Sequence, residues 1–437
     1  MWLGVALVAL SGVTSSASSE QIQFENGLRI YLEPMPGRAT VAVLVGYRAG
    51  AASAPPGRYG LPHLAEHLVL RRAGRYGPFA SSEYLRDSGG RWNGFTAPHR
   101  TWYESTTTPV SLDAVLLFER ERMAFTASAL TEEDLSREKD VVVRELELRE
   151  GYSRKVLRAI NRVIYPEGSM WVAVASERGE VQRHTIDELR WFLRKHYRPD
   201  QAVVAIAGRF DKEALRTKLE LWFSELERPE APPASYAPSP LVEARDIEGF
   251  RIKSRNREEQ LEYRWQLPNR TSPGERQVVE YILEGLAGRV RRAHKGVARR
   301  GNAEVERMGS YDLYRLWISS WASKRLDGAE ATFKEKLDAA ARDPDELVKS
   351  RIESGRVEAE LRERRQLATP TERARVAMHA LLDDEAPSLP ERVDQIRGVS
   401  AARAAMLIKS LLAEPPIILR SSRHNGRVEI QEVRSED

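Results

Sequence analysis

His63, Glu66 and His67 stand within five residues of one another, in the stretch GRYGLPHLAEHLVLRRAG. On a helix, residues four apart project from the same face, so the two imidazoles can converge on one ion, an arrangement suited to zinc. Glu66 then lies beside that ion without becoming a third in-line ligand. A carboxylate so placed can act as base towards water whose pKa a metal has lowered to near ~7. The alternative is an ordinary surface helix in which two histidines and a glutamate fall together by chance. A third ligand separates the two readings, because catalytic zinc typically takes three protein ligands. The chain has no cysteine, so a third ligand must be His, Asp or Glu, and disulfides and thiolate nucleophiles are excluded.

No third histidine follows closely, which directs attention to acids on a distant helix. The stretch SREKDVVVRELELRE offers Glu138 and Glu145, seven residues apart and so on one helical face. Val142 shares that face, which turns it inward, and an acid pointing inward needs a partner. Glu147 and Glu150 fall off the face and read as solvated. Spacing alone leaves the choice of third ligand open.

The elements that must hold these residues are legible in outline. GLRIYLEP, TVAVLVGYRAG and TWYESTTTPV carry strand-type residues, and AVVAIAGRF reads as a buried strand. The acid-bearing stretch from Thr131 is a helix with Thr131 as its N-cap, and Thr185 with Glu188 forms a capping box for another. Strands mixed with long helices point to an α+β fold with a partly antiparallel sheet. Residues 227–244, ERPEAPPASYAPSPLVEA, read as an extended linker. It separates a domain near 22–228 from one near 245–437, with 229–244 between them. In the second domain LEYRWQLP and YRLWISSWAS are strand candidates, and FKEKLDAAARDPDELVKSRIESGRVEAELRERRQL is an almost continuous run of helix formers. Residues 1–17 have the apolar core and small-residue end of a signal peptide, with Ser15 and Ala17 at the cleavage positions. A retained anchor is the alternative, although the apolar run is shorter than the ~20 residues of a spanning helix. Export, to a periplasm or outside the cell, is therefore expected.

Taken together, these stretches resemble the M16 metallopeptidases, the family of pitrilysin, insulysin and the mitochondrial processing peptidase. The family's H-x-x-E-H, an inverted zincin signature, reads here as His63 to His67. Its distal glutamate matches Glu145, and the supporting acid seven residues earlier matches Glu138. FENGLRIYLEP, GGRWNGFTAPHRTWY and HYRPDQAVVAIAGRF match three further family stretches in the same order. The resemblance implies two structurally similar α/β-sandwich domains, each a mixed sheet with helices on one face, together forming half of a hollow shell. It implies one zinc held by His63, His67 and Glu145, with Glu66 as general base and Glu138 orienting a ligand. It also implies that Trp92, Asn93, Gly94, Phe95 and Thr96 form an edge strand that pairs with substrate backbone, an exchange that an unpaired sheet edge permits. From the residues alone, Asn93-Gly94 fits a turn or bulge equally well.

The second half departs from the family pattern. Relatives carry an Arg and a Tyr there that hold the substrate carbonyl, whereas the tyrosine position here is Glu304; Tyr311 and Tyr314 fall in the next strand. Either a nearby tyrosine serves or a partner chain supplies the pair. A homodimer or heterodimer is expected. The expected activity is a zinc endopeptidase acting on peptides or small unfolded proteins. The alternatives are an inactive binding or assembly subunit and a processing peptidase for one partner peptide. Among the other histidines, His99 reads as a solvated loop residue and His196 as a cation favouring a helix C-terminus. With 68 basic and 64 acidic side chains and no aromatic-laced basic tract, nucleic-acid binding is not supported.

Overall fold

The computed structural model describes residues 18–55, 57–58, 60–149, 178–227, 249–254, 259–267, 271–308, 311–320, 325–385, 388–423 and 429–433. The expected leader (1–17) and linker (229–244) lie outside the described residues, as do Glu150 and His424. Two six-stranded sheets organise the described residues. The first contains β1 (Glu20–Gln23), β2 (Arg29–Pro34), β3 (Val41–Tyr47), β4 (Arg91–Thr96), β5 (Thr101–Thr107) and β6 (Ala202–Gly208), in the order β1-β2-β6-β3-β5-β4. Only β2 and β6 pair in parallel; the other neighbours are antiparallel. The second sheet contains β7 (Gly249–Ser254), β8 (Gln260–Leu267), β9 (Ala298–Met308), β10 (Tyr311–Ser320), β11 (Ile417–Arg423) and β12 (Glu429–Val433), in the order β12-β7-β11-β8-β10-β9. Its parallel pair, β7 with β11, sits at the same place in the order. The outermost strand beyond that pair is the first of its half in one sheet and the last in the other.

Helices of the first half are α1 (Leu61–Arg71), α2 (Ala80–Asp87), α3 (Leu112–Ala129), α4 (Glu132–Arg149), α5 (Arg178–Arg183), α6 (Ile186–His196) and α7 (Lys212–Phe223). The second half adds α8 (Pro273–Ala293), α9 (Asp327–Arg342), α10 (Pro344–Lys349), α11 (Ile352–Gln366), α12 (Pro370–Leu382), α13 (Leu389–Gly398) and α14 (Ala401–Ala413). The long run of helix formers is thus cut into three. Pro344 has no N–H to donate and disfavours helix at the residue before it. Asp343 instead caps α10, accepting from Glu346 N at 3.0 Å. The expected caps at Thr131 and Thr185 are present, each side chain accepting from the backbone N–H three residues on at 3.2 Å.

β3 and β6 are buried at every position, which requires cover on both faces of the sheet. Val43, Val45, Tyr47, Val204 and Ile206 face the helices of the first half. Ala42, Leu44, Ala205 and Ala207 face α12, which comes from the other half of the chain. Small residues on this second face let α12 approach closely: a Cβ on Gly46 would lie 2.5 Å from Met378 Sδ. Ion pairs rim the contact, among them Arg373 with Glu33 at 2.6 Å and Arg100 with Asp383 at 3.1 Å. Among the described residues, no helix is long and apolar enough to cross a membrane.

Candidate metal centre

α1 begins after Gly60, whose φ of +90° suits a residue without a side chain. Leu61, Leu64, Ala65 and Leu68 pack into the core, which fixes the helix's rotation and turns His63 and His67 towards α4. The two rings lie 4.8 Å apart, nearly perpendicular. Glu145 on α4 meets both: its Oε2 is 3.8 Å from His63 Nε2 and its Oε1 is 3.8 Å from His67 Nε2. One donor atom from each residue falls within 4.8 Å of the others. Tetrahedral zinc with bonds of about 2.0–2.2 Å needs donors about 3.4 Å apart. Two imidazole nitrogens and a carboxylate, half-buried and converging at nearly that spacing, fit such an ion.

The outer face of His67 is fixed as well. Its Nδ1 lies 3.3 Å from Glu138 Oε2, and the other oxygen of Glu138 accepts from Arg71 Nη1 at 2.8 Å. With Nδ1–H donating to the carboxylate, the lone pair on Nε2 faces the Glu145 side, the arrangement metal-binding histidines use. Burial works against the charged form of Glu138, but its bonds to His67 and Arg71 prevail and hold the carboxyl below its usual range. Burial likewise opposes charge on His67, yet the bond to Glu138 and the fields of Glu66 and Glu145 hold its pKa above the usual imidazole value. Glu66 is 6% exposed, and its Oε2 accepts from Thr96 Oγ1 at 2.6 Å.

β4 is the edge of its sheet, as expected for RWNGFT. Its residues split by face. Gly94 and Thr96 meet Glu66, while Trp92 on the same side packs against the core. Asn93 Oδ1 accepts from Gly94 N at 3.0 Å, and Phe95 stacks on Trp102 with centroids 4.9 Å apart. The structure therefore brings His63, Glu66, His67, Glu138, Glu145, Gly94 and Thr96 together, while Trp92 packs on the core and Phe95 on Trp102.

Two contributors were not anticipated. Arg71 continues the stripe of His63 and His67 four residues on, and Asp134 precedes Glu138 by four on α4. Arg71 Nε lies 3.6 Å from Asp134, which also accepts from Arg72 at 2.9 Å. Extending the helical stripe by one turn at each helix would have found both. The histidine expectations need correction. His99 is half-buried rather than a solvated loop residue: burial, then Arg100, push it down to about 4. His196 sits at the end of α6, yet burial, then Lys195 and Arg198, lower it to about 4, so it is neutral rather than a cation serving the dipole.

In the second half, α8 packs on edge strand β9 and on α11, as α1 packs on β4 and α4. Glu280 and Glu284 of α8 face Arg362 of α11 at 2.8 and 3.1 Å. Burial pushes Glu280 up to about 7 despite that arginine. Glu304 is exposed on β9 and paired with Arg315 at 2.9 Å. Tyr314 is buried in the core, so its hydroxyl does not face a substrate there. The side chain of Tyr311 lies outside the described residues.

The profile described as "Insulinase (Peptidase family M16)" matches residues 29–166, which hold every member of this centre; "Peptidase M16 inactive domain" matches 183–316. The "uncharacterized zinc protease YmxG" of Bacillus subtilis is 25% identical over 206 residues, 46% of this chain and 49% of that protein. The "probable mitochondrial-processing peptidase subunit beta" of Arabidopsis thaliana is 23% identical over 221 residues, 50% of this chain and 41% of that one. The chain thus spans about half the length of the curated relatives it matches. Among solved structures, a protease from Helicobacter pylori superposes with a TM-score of 0.79 at 14% identity, covering 93% of this chain and 99% of that one. Pitrilysin superposes at 0.74 with 16% identity, covering 96% and 47%. At such identities the likeness is one of fold.

Proposed function

We propose, from the premise that the chain belongs to the M16 family of peptidases, that it is a zinc-dependent endopeptidase acting on peptides or small unfolded proteins. The observation that carries this reading is the convergence of His63 Nε2, His67 Nε2 and both oxygens of Glu145 at 3.8 Å. These residues would hold the ion. When bound, zinc supplies a Lewis acid that polarises a carbonyl and acidifies water.

The chain's own groups do the rest. Glu66 accepts a proton from the attacking water and returns it to the leaving amine, as a general base and then acid. Its enclosure keeps the carboxylate out of bulk solvent. Glu138, itself held by Arg71, keeps the ring of His67 in one orientation. The outer edge of β4, unpaired among the described residues, binds extended peptide by main-chain hydrogen bonds, beside the strand residues that meet Glu66.

The reading of an inactive binding subunit is disfavoured because the donor set is complete, and the inactive-domain match falls on the other part of the chain. We further propose a working dimer with a second M16-type chain, identical or different. Glu304 stands at the tyrosine position and Tyr314 is buried, so a partner would supply the tyrosine hydroxyl. Light scattering after size exclusion tests this, and a stable monomer with full peptidase activity refutes it. For the chemistry, zinc content and cleavage of a quenched peptide are compared between the wild type and Glu66→Gln. The variant should keep its zinc and lose about 10²-fold or more in kcat. Equal cleavage by the two proteins refutes the mechanism.

A further inference from the structure

We infer that Thr96, the last residue of β4, is a positioning residue for Glu66, so that the strand offered to the peptide also sets the orientation of the base. The inference rests on the reading of Glu66 as that base. Thr96 Oγ1 donates to Glu66 Oε2 at 2.6 Å, within the range of a charge-assisted O–H···O bond. The terminal torsion of a glutamate has broad minima and little preference of its own. A short bond to a fixed donor narrows that freedom. The donor is fixed because Thr96 is paired with Thr101 in the ladder, and a β-branched side chain has few χ1 choices. The strand also comes close at a second point: a Cβ on Gly94 would lie 2.7 Å from Glu66 Oε1. Both oxygens are thus registered against β4. Peptide added to the outer edge of the same strand is registered against the same backbone.

The test uses the full chain, zinc-loaded, with an internally quenched peptide pool of mixed sequence. Thr96→Val keeps the shape and removes the donor; Thr96→Ser keeps the donor. Thr96→Val should lower kcat roughly tenfold to a hundredfold, part of the worth of a general base, with KM changed less than about twofold and zinc content unchanged. Thr96→Ser should stay within about threefold of wild type. The inference is overturned by a Thr96→Val kcat within about threefold of wild type, by equal impairment of Thr96→Ser, or by a loss confined to KM. A second readout does not depend on activity. In the metal-free protein, Thr96→Val should lower the melting temperature in the wild-type background and not in a Glu66→Ala background; additive shifts would overturn the bond. Failure of the underlying reading looks different: there, Glu66→Gln would cleave as well as wild type.

Discussion

His379 sits where α12 crosses the first sheet, and it should make the fold acid-sensitive. Its Nδ1 lies 3.0 Å from Arg100 Nη1, and its ring packs edge-on against Trp102 at 4.9 Å. A guanidinium can only donate, so Nδ1 must accept, and the ring must be the neutral tautomer. Desolvation, then the fields of Arg100 and Arg375, push its pKa down to about 3. The folded value is depressed below the unfolded one of about 6.5, so the unfolded chain binds the proton first. Stability is therefore whole above about pH 6.5 and falls as pH drops through that value. Linkage gives a loss of about 1.9 kcal/mol between pH 7 and pH 5. That figure barely changes if the folded pKa is one unit higher, because pH 5 lies above both values. Glutamine in place of His379 offers Arg100 an oxygen and has no proton to gain. Urea unfolding of metal-free wild type and His379→Gln at pH 7, 6 and 5 isolates the effect, since the proton uptake of other groups is common to both. The variant should gain about 1.9 kcal/mol relative to wild type across that range. A difference that stays within about 0.5 kcal/mol at all three pH values would show that His379 titrates alike in both states, and the reasoning would fail.

Glu138→Gln should weaken zinc binding about 10- to 100-fold, because the amide cannot accept from His67 and Arg71 together; competition with a chromogenic chelator measures it, and unchanged affinity refutes the role. Gly46→Val should cost about 1–3 kcal/mol by driving its side chain into Met378 and Leu382, read as a lowered melting temperature; a wild-type value would mean that α12 does not press on β3.

How much of this was legible in the sequence follows from how local each signal is. The pair of histidines needed only the helical repeat, and the orientation of α1 followed from its apolar positions. Glu145 did not: α4 carries many acids, and only packing against α1 distinguishes one facing the histidines from one facing water. The family pattern supplied that choice before the structure did. α12 was invisible as cover for the first sheet, yet its need was written in β3 and β6. A strand apolar at every position has two buried faces. β9, β11 and β12 were missed because ARRGNAEVERM, IILRSSR and EIQEV interrupt the apolar alternation of a strand with charged residues. His99 and His196 were misjudged because burial, which lowers both, is not visible in a short stretch of sequence, although the flanking Arg100, Lys195 and Arg198 act in the same direction.

The two halves share the strand order and the position of the parallel pair, so the fold alone does not explain why one holds the metal donors. The difference lies in the residues that each half places between its edge strand and two helices. In the first, His63 and His67 at i and i+4 face a carboxylate, leaving electron pairs that a cation can satisfy. In the second, Glu280 and Glu284 at i and i+4 face the guanidinium of Arg362. There the positive charge is already covalently part of the chain. An arginine in that place balances the carboxylates with fixed donors and leaves no open coordination position for water. The same backbone site thus gathers candidate metal donors in one half and a structural ion pair in the other, and the difference lies in which side carries the cation.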